Sequence, residues 1–278
     1  MVAQQHRLDA ISNNLANANT VGYKRDVSVH KAFPELLLRR RGDEGVIQFP
    51  LRGEPLGSID SSPVVGRLGM GVEQNEVFTI FEQGAVRETA SRFDLALEGE
   101  GFFVVDTPFG ERYTRNGSFT IGPESLLVTQ QGYPVIGTDG NPIRVQENNF
   151  FVDEAGRVFA NEEFLNNPDR LVEMRENGWE ETVQTGQLAL VTMDQTRYLQ
   201  KEGANLWNTT RDSGDAFPAL EQQRPVVLQG FLATANFIPL VEMTQMIEVN
   251  RAYEANQKVI QSQDQSTARL ISEVMRPQ

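Results

Sequence analysis

The sequence predicts an α+β fold, with long N- and C-terminal coiled-coil-forming helices bracketing a β-rich antiparallel body. Three observations lead to this prediction. Apolar residues recur at helical spacing near the start of the chain, and no proline or glycine occurs between Pro239 and Pro277. Between these two regions, short apolar runs alternate with turn residues, as in antiparallel sheets.

The first helix is predicted from Gln4 to about Val21, with Gly22 as its stop. Its apolar residues form one narrow stripe, which is typical of coiled coils. Asparagines surround the stripe, and because asparagine is a poor helix former, we expect this helix to depend on partners. The predicted interface residues of this N-terminal stripe are Leu8, Ile11, Asn14, Leu15 and Ala18.

The last helix is predicted from about Leu240 to Met275, with Pro239 in its first turn and Asn236 as a cap. At 1.5 Å per residue it would be roughly 54 Å long, more than one small domain can cover. The alternative is a solvated helix packed on its own body. Its heptad positions, which we call the C-terminal seam, are apolar at both ends and polar in the centre, and buried polar positions can fix register. The seam consists of Met243, Met246, Asn250, Tyr253, Gln257, Ile260, Asp264, Thr267, Ile271 and Val274, of which the predicted interface residues are Met243, Met246, Tyr253, Ile260, Ile271 and Val274.

The middle of the chain divides into two regions. Residues 31–75 are rich in glycine and proline, which predicts extended chain with few strands and no helix. From Val77 onward the pattern predicts a meander of antiparallel strands, with tight turns at the Asn-Gly of 116–117 and the Asp-Gly of 139–140. A charged stretch near Asn166 to Glu181 is a candidate helix.

Composition excludes several classes of function. The net charge of −13 makes nucleic acid a poor partner. The sequence contains no run of 18 apolar residues, so we predict no membrane-spanning helix. The first residues lack the apolar region of an ordinary cleaved secretion signal. Because cysteine is absent and only His6 and His30 could supply imidazole, we predict no metal and no cofactor.

No catalytic pattern is recognisable. The GRLGMG sequence lacks the lysine and serine of a phosphate-binding loop, and Glu98, Glu100 and Asp106 fit turn and edge charges better than a carboxylate pair. The one basic run, Arg39 to Arg41, is either a solvated loop or a contact with an acidic neighbour or an anionic wall polymer. We therefore predict a structural assembly subunit that is not an enzyme.

Three separated motifs resemble those of bacterial flagellar rod and hook proteins. The first, LDAISNNLANANTVGYKR, runs from Leu8 to Arg25. The second consists of DLALEGEGFFVVD followed by YTRNGSFTIG and LLVTQQGYPVIG, and the third is VVLQGFLATANFIPLVEMTQMIEVNRAYEANQKVIQSQD. Together they cover about half of the chain in the order that the family has.

The resemblance implies a subunit of the flagellar axial structure in the basal body and periplasmic space. It implies assembly with copies of itself and with other rod and hook proteins, export through the flagellar type III apparatus, and contacts with the surrounding ring proteins and peptidoglycan. The implied divisions are an N-terminal helix of an inner-tube domain at 1–30, an extended linker at 31–75, a β-rich body at 76–215, a return linker at 216–238 and a C-terminal inner-tube helix at 239–278.

The small body favours a rod protein over a hook protein, and we favour the proximal-rod type over the distal-rod type. Family members usually begin with a short helical segment before the position of Met1, so the chain is expected to start inside its first helix. Other hypotheses remain. One is a hook-type protein of the same family. Another is a cell-surface coiled-coil adhesin or other secreted filament protein, which would need a signal peptide, and a third is a periplasmic hydrolase of the cell wall, which would need a clustered acid or metal site.

Overall fold

The computed structural model describes residues 2–39, 46–51, 54–60, 64–69, 71–145, 150–161, 182–203, 205–219 and 224–274. Helix α1 spans Val2–Ala16 and helix α2 spans Pro239–Val274, one at each end of a strand-rich sequence. The predicted α+β class is therefore confirmed, with a helix at each end of the described chain. The candidate helix at 166–181 lies outside the described residues.

The strands alternate with turns from Asp26 onward. They are β1 (Asp26–Ala32), β2 (Leu36–Arg39), β3 (Val46–Leu51), β4 (Glu54–Asp60), β5 (Val64–Leu68), β6 (Val72–Thr79), β7 (Val86–Glu88), β8 (Leu95–Glu98), β9 (Phe102–Thr107), β10 (Gly110–Thr114), β11 (Phe119–Ile121), β12 (Leu127–Thr129), β13 (Phe151–Val152), β14 (Arg157–Asn161), β15 (Thr182–Gln187), β16 (Leu190–Thr192), β17 (Gln200–Glu202), β18 (Leu206–Asn208), β19 (Phe217–Pro218), β20 (Val226–Gln229) and β21 (Phe231–Ala233).

The chain forms two compact units. The first contains Met1–Leu8, Ser28–Val77 and Val249–Gln278, and the second contains Asp9–Val27 and Phe78–Glu248. Helices α1 and α2 each contribute residues to both units.

Strands β1 to β6 form one long two-stranded ribbon, which we call the ribbon. β1 pairs with β6, β2 with β5 and β3 with β4, so the three pairs are nested. The expectation of few strands between residues 31 and 75 is wrong. Proline is tolerated here because each strand of a two-stranded ribbon has one free edge, and Pro50 and Pro55 face each other at a register shift.

α1 ends at Ala16, earlier than the predicted Val21. The side-chain amide of Asn17 donates to the Asn13 carbonyl at 2.9 Å, and the Asn17 Oδ1 accepts from the Thr20 hydroxyl at 3.1 Å. Such local bonds compete with the helical backbone pattern, so the asparagines end the helix before Gly22 is reached. α2 agrees with its prediction to within one residue at each end.

A six-stranded sheet of order β17-β18-β10-β9-β16-β19 forms the centre of the body. Alternate residues of β9 enter two apolar clusters: Phe103 and Val105 pack in one, Phe102 and Val104 in the other. Because β9 is buried on both faces, its sequence is an apolar run rather than an alternation. The fully buried Trp207 belongs to the second cluster.

The two predicted tight turns have different outcomes. Asp139-Gly140 forms one: Gly137 N–H donates to the Asn141 carbonyl at 2.9 Å, and Gly140 has φ +73°. Asn116-Gly117 is not a hairpin turn, because the strands on its two sides belong to different sheets. A Cβ at Gly117 would collide with the Leu95 carbonyl oxygen, so glycine is required there for close packing.

Candidate assembly interface

The N-terminal stripe is partly covered by the chain itself. Ile11 is buried, Leu8 and Leu15 are half-buried, and Ala18 lies half-buried in the turn after α1. Asn14, the polar member of the predicted stripe, is buried too. The stripe therefore has an intrachain role in addition to any role in assembly.

Asn14 uses its whole side-chain amide. Its Nδ2 donates to the Asp26 carbonyl at 2.9 Å and to Glu242 Oε2 at 3.4 Å. Its Oδ1 accepts from the Asp26 N–H at 2.9 Å and from the Tyr23 hydroxyl at 3.1 Å. An asparagine amide has two donor hydrogens and an oxygen that accepts twice, so this side chain is fully satisfied in a buried place.

Charged groups complete what we call the Asn14 cluster: Asn14, Tyr23, Asp26, Lys201 and Glu242. Asp26 Oδ2 pairs with Lys201 Nζ at 2.8 Å, and the same ammonium lies 4.3 Å from the centre of the Tyr23 ring. Burial raises the pKa of Tyr23, and the nearby carboxylates of Asp26 and Glu242 raise it further. The phenol therefore stays protonated and can donate to Asn14.

Glu242 connects the cluster to the start of α2. Its side chain is buried in the first turn of that helix, where a carboxylate is favoured by the helix dipole. The cluster thus joins the end of α1 to the start of α2, at a sequence separation of 228 residues.

The segment after α1 is bonded to the body and to the chain before α2. Gly22 N–H donates to the Ala233 carbonyl at 2.9 Å, and Arg25 N–H donates to Asn236 Oδ1 at 2.8 Å. Asn236 Nδ2 donates to the Ile80 carbonyl at 2.7 Å. Asn236 is therefore not the helix cap that the sequence suggested, because its side chain bonds to the backbone of Arg25 and of Ile80 instead.

Two buried basic side chains lie here: Lys24 belongs to this segment, and Arg115 belongs to the body. Lys24 donates to the Glu82 carbonyl at 2.7 Å, and burial, with the neighbouring Arg115, lowers the pKa of Lys24 to about 8. Burial also lowers the pKa of Arg115 to about 10, and its guanidinium lies 5.3 Å from the centre of the Phe102 ring. Gly22, at φ +67°, packs directly on the Arg115 carbonyl, where a side chain would collide.

α2 presents most of its seam to solvent. Met246 and Tyr253 are half-buried, Met243 is exposed, and Ile260 and Ile271 are 44% and 52% exposed. Val274 is the last residue of the helix. From Glu254 to Ser272 every side chain is exposed, including Val259 and Leu270. The structure brings the two helices together at Asn14 and Glu242, and leaves the outer half of the seam uncovered.

Sequence reasoning missed four members of the Asn14 cluster. Tyr23, Asp26, Lys201 and Glu242 each look like an ordinary surface residue in isolation, and only Tyr23 and Glu242 belong to a recognised motif. The sequence offered one signal for Glu242. This acidic residue stands in the first turn of the predicted helix between the apolar residues Val241 and Met243, which indicates a buried carboxylate.

The carboxylates considered as catalytic candidates lie at the surface. Among the described residues, no group of three or more histidine or acidic side chains could hold a metal ion. Glu98, Glu100 and Asp106 are exposed. The part of the chain that the structure describes contains no helix long and apolar enough to cross a membrane. Of the basic run, Arg39 ends β2, while Arg40 and Arg41 lie outside the described residues.

Three family models match the chain. They are described as the flagellar hook protein FlgE/F/G D1 domain at residues 96–160, the flagellar basal body rod FlgEFG protein C-terminal region at 228–273, and the flagella basal body rod protein at 1–24. The first of them covers the centre of the body, and the other two cover the helical ends.

Curated relatives match over nearly the whole length. The flagellar basal-body rod protein FlgF of Caulobacter vibrioides is 32% identical over 92% of this chain and 86% of its own length. The rod protein FlgG of Buchnera aphidicola subsp. Schizaphis graminum is 33% identical over 96% and 94%. The flagellar hook-basal body complex protein FlhO of Bacillus subtilis is 31% identical over 99% and 95%.

Proposed function

The chain belongs to the flagellar basal-body rod protein family and is a structural subunit of the basal-body rod, and we propose that it polymerises through α1 and α2 into the axial shaft that transmits torque. In this proposal the N-terminal stripe and the C-terminal seam pair with those of neighbouring subunits as coiled coils. The residues that carry it are Leu8, Ile11, Asn14, Leu15, Ala18, Met243, Met246, Tyr253, Ile260, Ile271 and Val274.

The observation that carries the proposal is the uncovered outer half of α2. A run from Glu254 to Ser272 exposes every side chain, and Leu270 is 64% exposed. Most helical stability in proteins comes from packing an apolar face rather than from propensity, so a solvated helix of this length is poorly explained in isolation. Pairing with other copies supplies the missing packing, and the polar centre of the seam fixes its register.

The Asn14 cluster supports transmission of force. It ties the end of α1, the start of α2 and strand β17 together with charged and hydrogen-bonded groups that are largely shielded from water. Buried polar networks that are fully satisfied rigidify a structure. Torque on the helices would then reach the body through this cluster rather than through a flexible linker.

The ribbon is proposed to brace neighbouring subunits. Three consecutive leucines, Leu36 to Leu38, are exposed on β2, as is Leu68 on its partner strand β5. Consecutive strand residues point to opposite faces, so both faces of the ribbon are apolar. A two-stranded ribbon is only marginally stable alone, so covering by adjacent subunits would stabilise it and link the bodies laterally.

The proposed partners are copies of this chain and other rod and hook proteins, the flagellar type III export apparatus, and the surrounding rings and peptidoglycan. We propose no enzymatic activity and no cofactor. The relatives named FlgF and FlgG are 32% and 33% identical to the chain. These two values are too similar to assign the chain to one of these two rod proteins rather than the other. The proximal-rod position stays a proposal, and neither the relatives nor the family models favour an adhesin.

Replacing Ile260 with aspartate tests the helical contact. Ile260 is exposed in the single chain, so the variant should fold normally, while an unpaired charge in an assembled apolar seam would cost several kcal/mol. Cells should lose motility and secrete unassembled subunit, as they should with Leu15→Asp on the other helix. Ser262→Asp, also exposed on α2 but off the seam, is the matched control.

Intact rods and normal motility with both Ile260→Asp and Leu15→Asp would disprove the helical polymer. Circular dichroism and thermal unfolding of the purified variants separate this outcome from misfolding. Ile260→Asp is the sharper of the two changes, because Leu15 is half-buried within its own chain.

A further inference from the structure

The β9–β10 hairpin carries a highly exposed aromatic residue at its tip. Phe109 is 81% exposed, although the two residues Pro108 and Phe109 form a tightly bonded loop. The buried hydroxyl of Thr107 donates to the Gly110 carbonyl at 2.7 Å and accepts from the Phe109 N–H at 3.3 Å. An aromatic side chain on a pre-organised loop binds at a low cost in conformational entropy.

A second exposed aromatic surface lies on the three-stranded sheet β13-β14-β15. Phe151 is 42% exposed, and its ring centre lies 6.2 Å from that of Phe159. We call this the aromatic face. Beside it, Arg92, Phe150 and Phe151 line a pocket of about 280 Å³. This volume is below the roughly 300–1,000 Å³ of small-molecule sites and suits a single side chain.

The two surfaces carry opposite charges. Asp106 and Glu111 are exposed cross-strand neighbours on either side of the tip, and neither makes an ion pair within the described residues. At the pocket, Arg92 has no acidic partner among the residues that the structure describes. Arg157 lies 5.6 Å from the Phe159 ring centre and is paired with Asp153, so Arg92 supplies the unpaired positive charge.

We propose that the Phe109 tip of one copy inserts into the Arg92 pocket on the aromatic face of a second copy. Tip and face belong to the same compact unit and are both exposed in a single chain, so the contact requires another molecule. Two different patches meet, which makes the contact heterologous. Repetition of a heterologous contact generates a ring if its rotation closes and an open helical polymer if it does not, and the rod proposal requires the open polymer. The inference rests on the rod function proposed above and adds a contact between bodies, outside the helices.

Cysteine cross-linking tests the contact directly, since the chain has no cysteine of its own. Pro108→Cys keeps Phe109 in place, and Ser91→Cys lies at the pocket. In assembled basal bodies, oxidation of the double variant should give a ladder of covalent dimers and larger species, because a disulfide needs Cα atoms within about 7 Å. The matched control joins Pro108→Cys to Thr138→Cys at the Asp-Gly turn, and it should give none.

A charge exchange provides the second arm. Arg92→Glu should abolish the ladder in the cysteine background, and Arg92→Glu combined with Asp106→Arg and Glu111→Arg should restore it. Phe109→Asp should abolish the ladder, and the charge exchange should not restore it. Thr138→Asp, on the other exposed turn, should leave the ladder unchanged. Loss without restoration by the charge exchange would overturn the assigned electrostatic pairing.

Absence of the ladder in motile cells with intact rods would overturn the proposed contact while leaving the rod function standing. Cross-links from the Pro108→Cys variant to another rod protein alone would likewise reject a second copy as the occupant. If the protein never enters basal bodies, the proposed polymer itself fails, and a pull-down of basal bodies distinguishes that case.

Discussion

Lys24 is a buried residue whose ionisation is coupled to folding. It is 1% exposed, its ammonium donates to one carbonyl, and its pKa falls from 10.5 to about 8. The folded state therefore holds this proton less tightly than the unfolded chain does. Stability should rise with pH between about 8 and 10.5, where the unfolded chain still binds the proton and the folded chain does not.

Lys24→Met removes this titration. We expect the variant to be more stable than the parent near neutral pH by up to about 3 kcal/mol, and the difference to shrink as the pH rises. Urea unfolding at a series of pH values measures it. Lys258→Met, at an exposed lysine of α2, is the control and should leave the pH dependence unchanged. A parent whose stability falls steadily from pH 8 to pH 9 would contradict the assignment.

Single residues also show where sequence reasoning stops. Gly22 was predicted as a helix stop, but its position is fixed by a contact with the Arg115 carbonyl that no local pattern reveals. Asn14 was selected for the interface, and the structure shows it satisfied within the chain by Tyr23, Asp26 and Glu242. Such partners are distant in sequence, and one sequence without its fold does not specify them.

At the scale of elements, the helices and strands that the local sequence pattern determines were predicted correctly, and those that depend on other interactions were not. α2 was placed to within a residue because nothing interrupts its helical pattern. The end of α1 was missed because Asn17 bonds back to Asn13, a competition that propensity only hints at. The ribbon was missed because its glycines and prolines suggest irregular chain. Each of its strands pairs on one side only, and a strand with a free edge tolerates proline and glycine.

The Asn14 cluster predicts which helical end is protected in the isolated chain. Exposed Lys258 and Arg269 on α2 should be cut by trypsin first, and Arg25, whose N–H is bonded to Asn236, much later. Asn14→Leu leaves buried partners unsatisfied at about 1–3 kcal/mol each, so cleavage at Arg25 should accelerate. Mass spectrometry of the digest identifies the order of cuts. Asn13→Leu, an exposed neighbour, is the control. Equal rates in the two variants would show that the cluster does not hold α1.

At the scale of the whole molecule, the shaft that we propose must resist twisting, and helices that slid along their seams would let it twist. Lateral links between subunits would oppose this sliding. The chain offers two candidates outside the helices: the Phe109 tip and the ribbon, whose leucines are exposed on both faces. They lie in different units of the chain and can therefore be tested independently.

The ribbon prediction concerns the assembled rod. Strands β3 and β4 pair from Val46 with Asp60 to Leu51 with Glu54, so replacing residues 46–60 by Asn-Gly removes both paired strands together and keeps every residue of β2 and β5. We call this the symmetric variant. A deletion of about ten residues within 53–66 would instead remove residues of β4 while β3 stays without its partner. If the ribbon braces neighbours, the symmetric variant should be exported normally yet give short or fragile rods, scored by electron microscopy of basal bodies and by swimming speed. A surface loop without contacts would tolerate the same shortening, so unchanged rod length and motility would reject the brace.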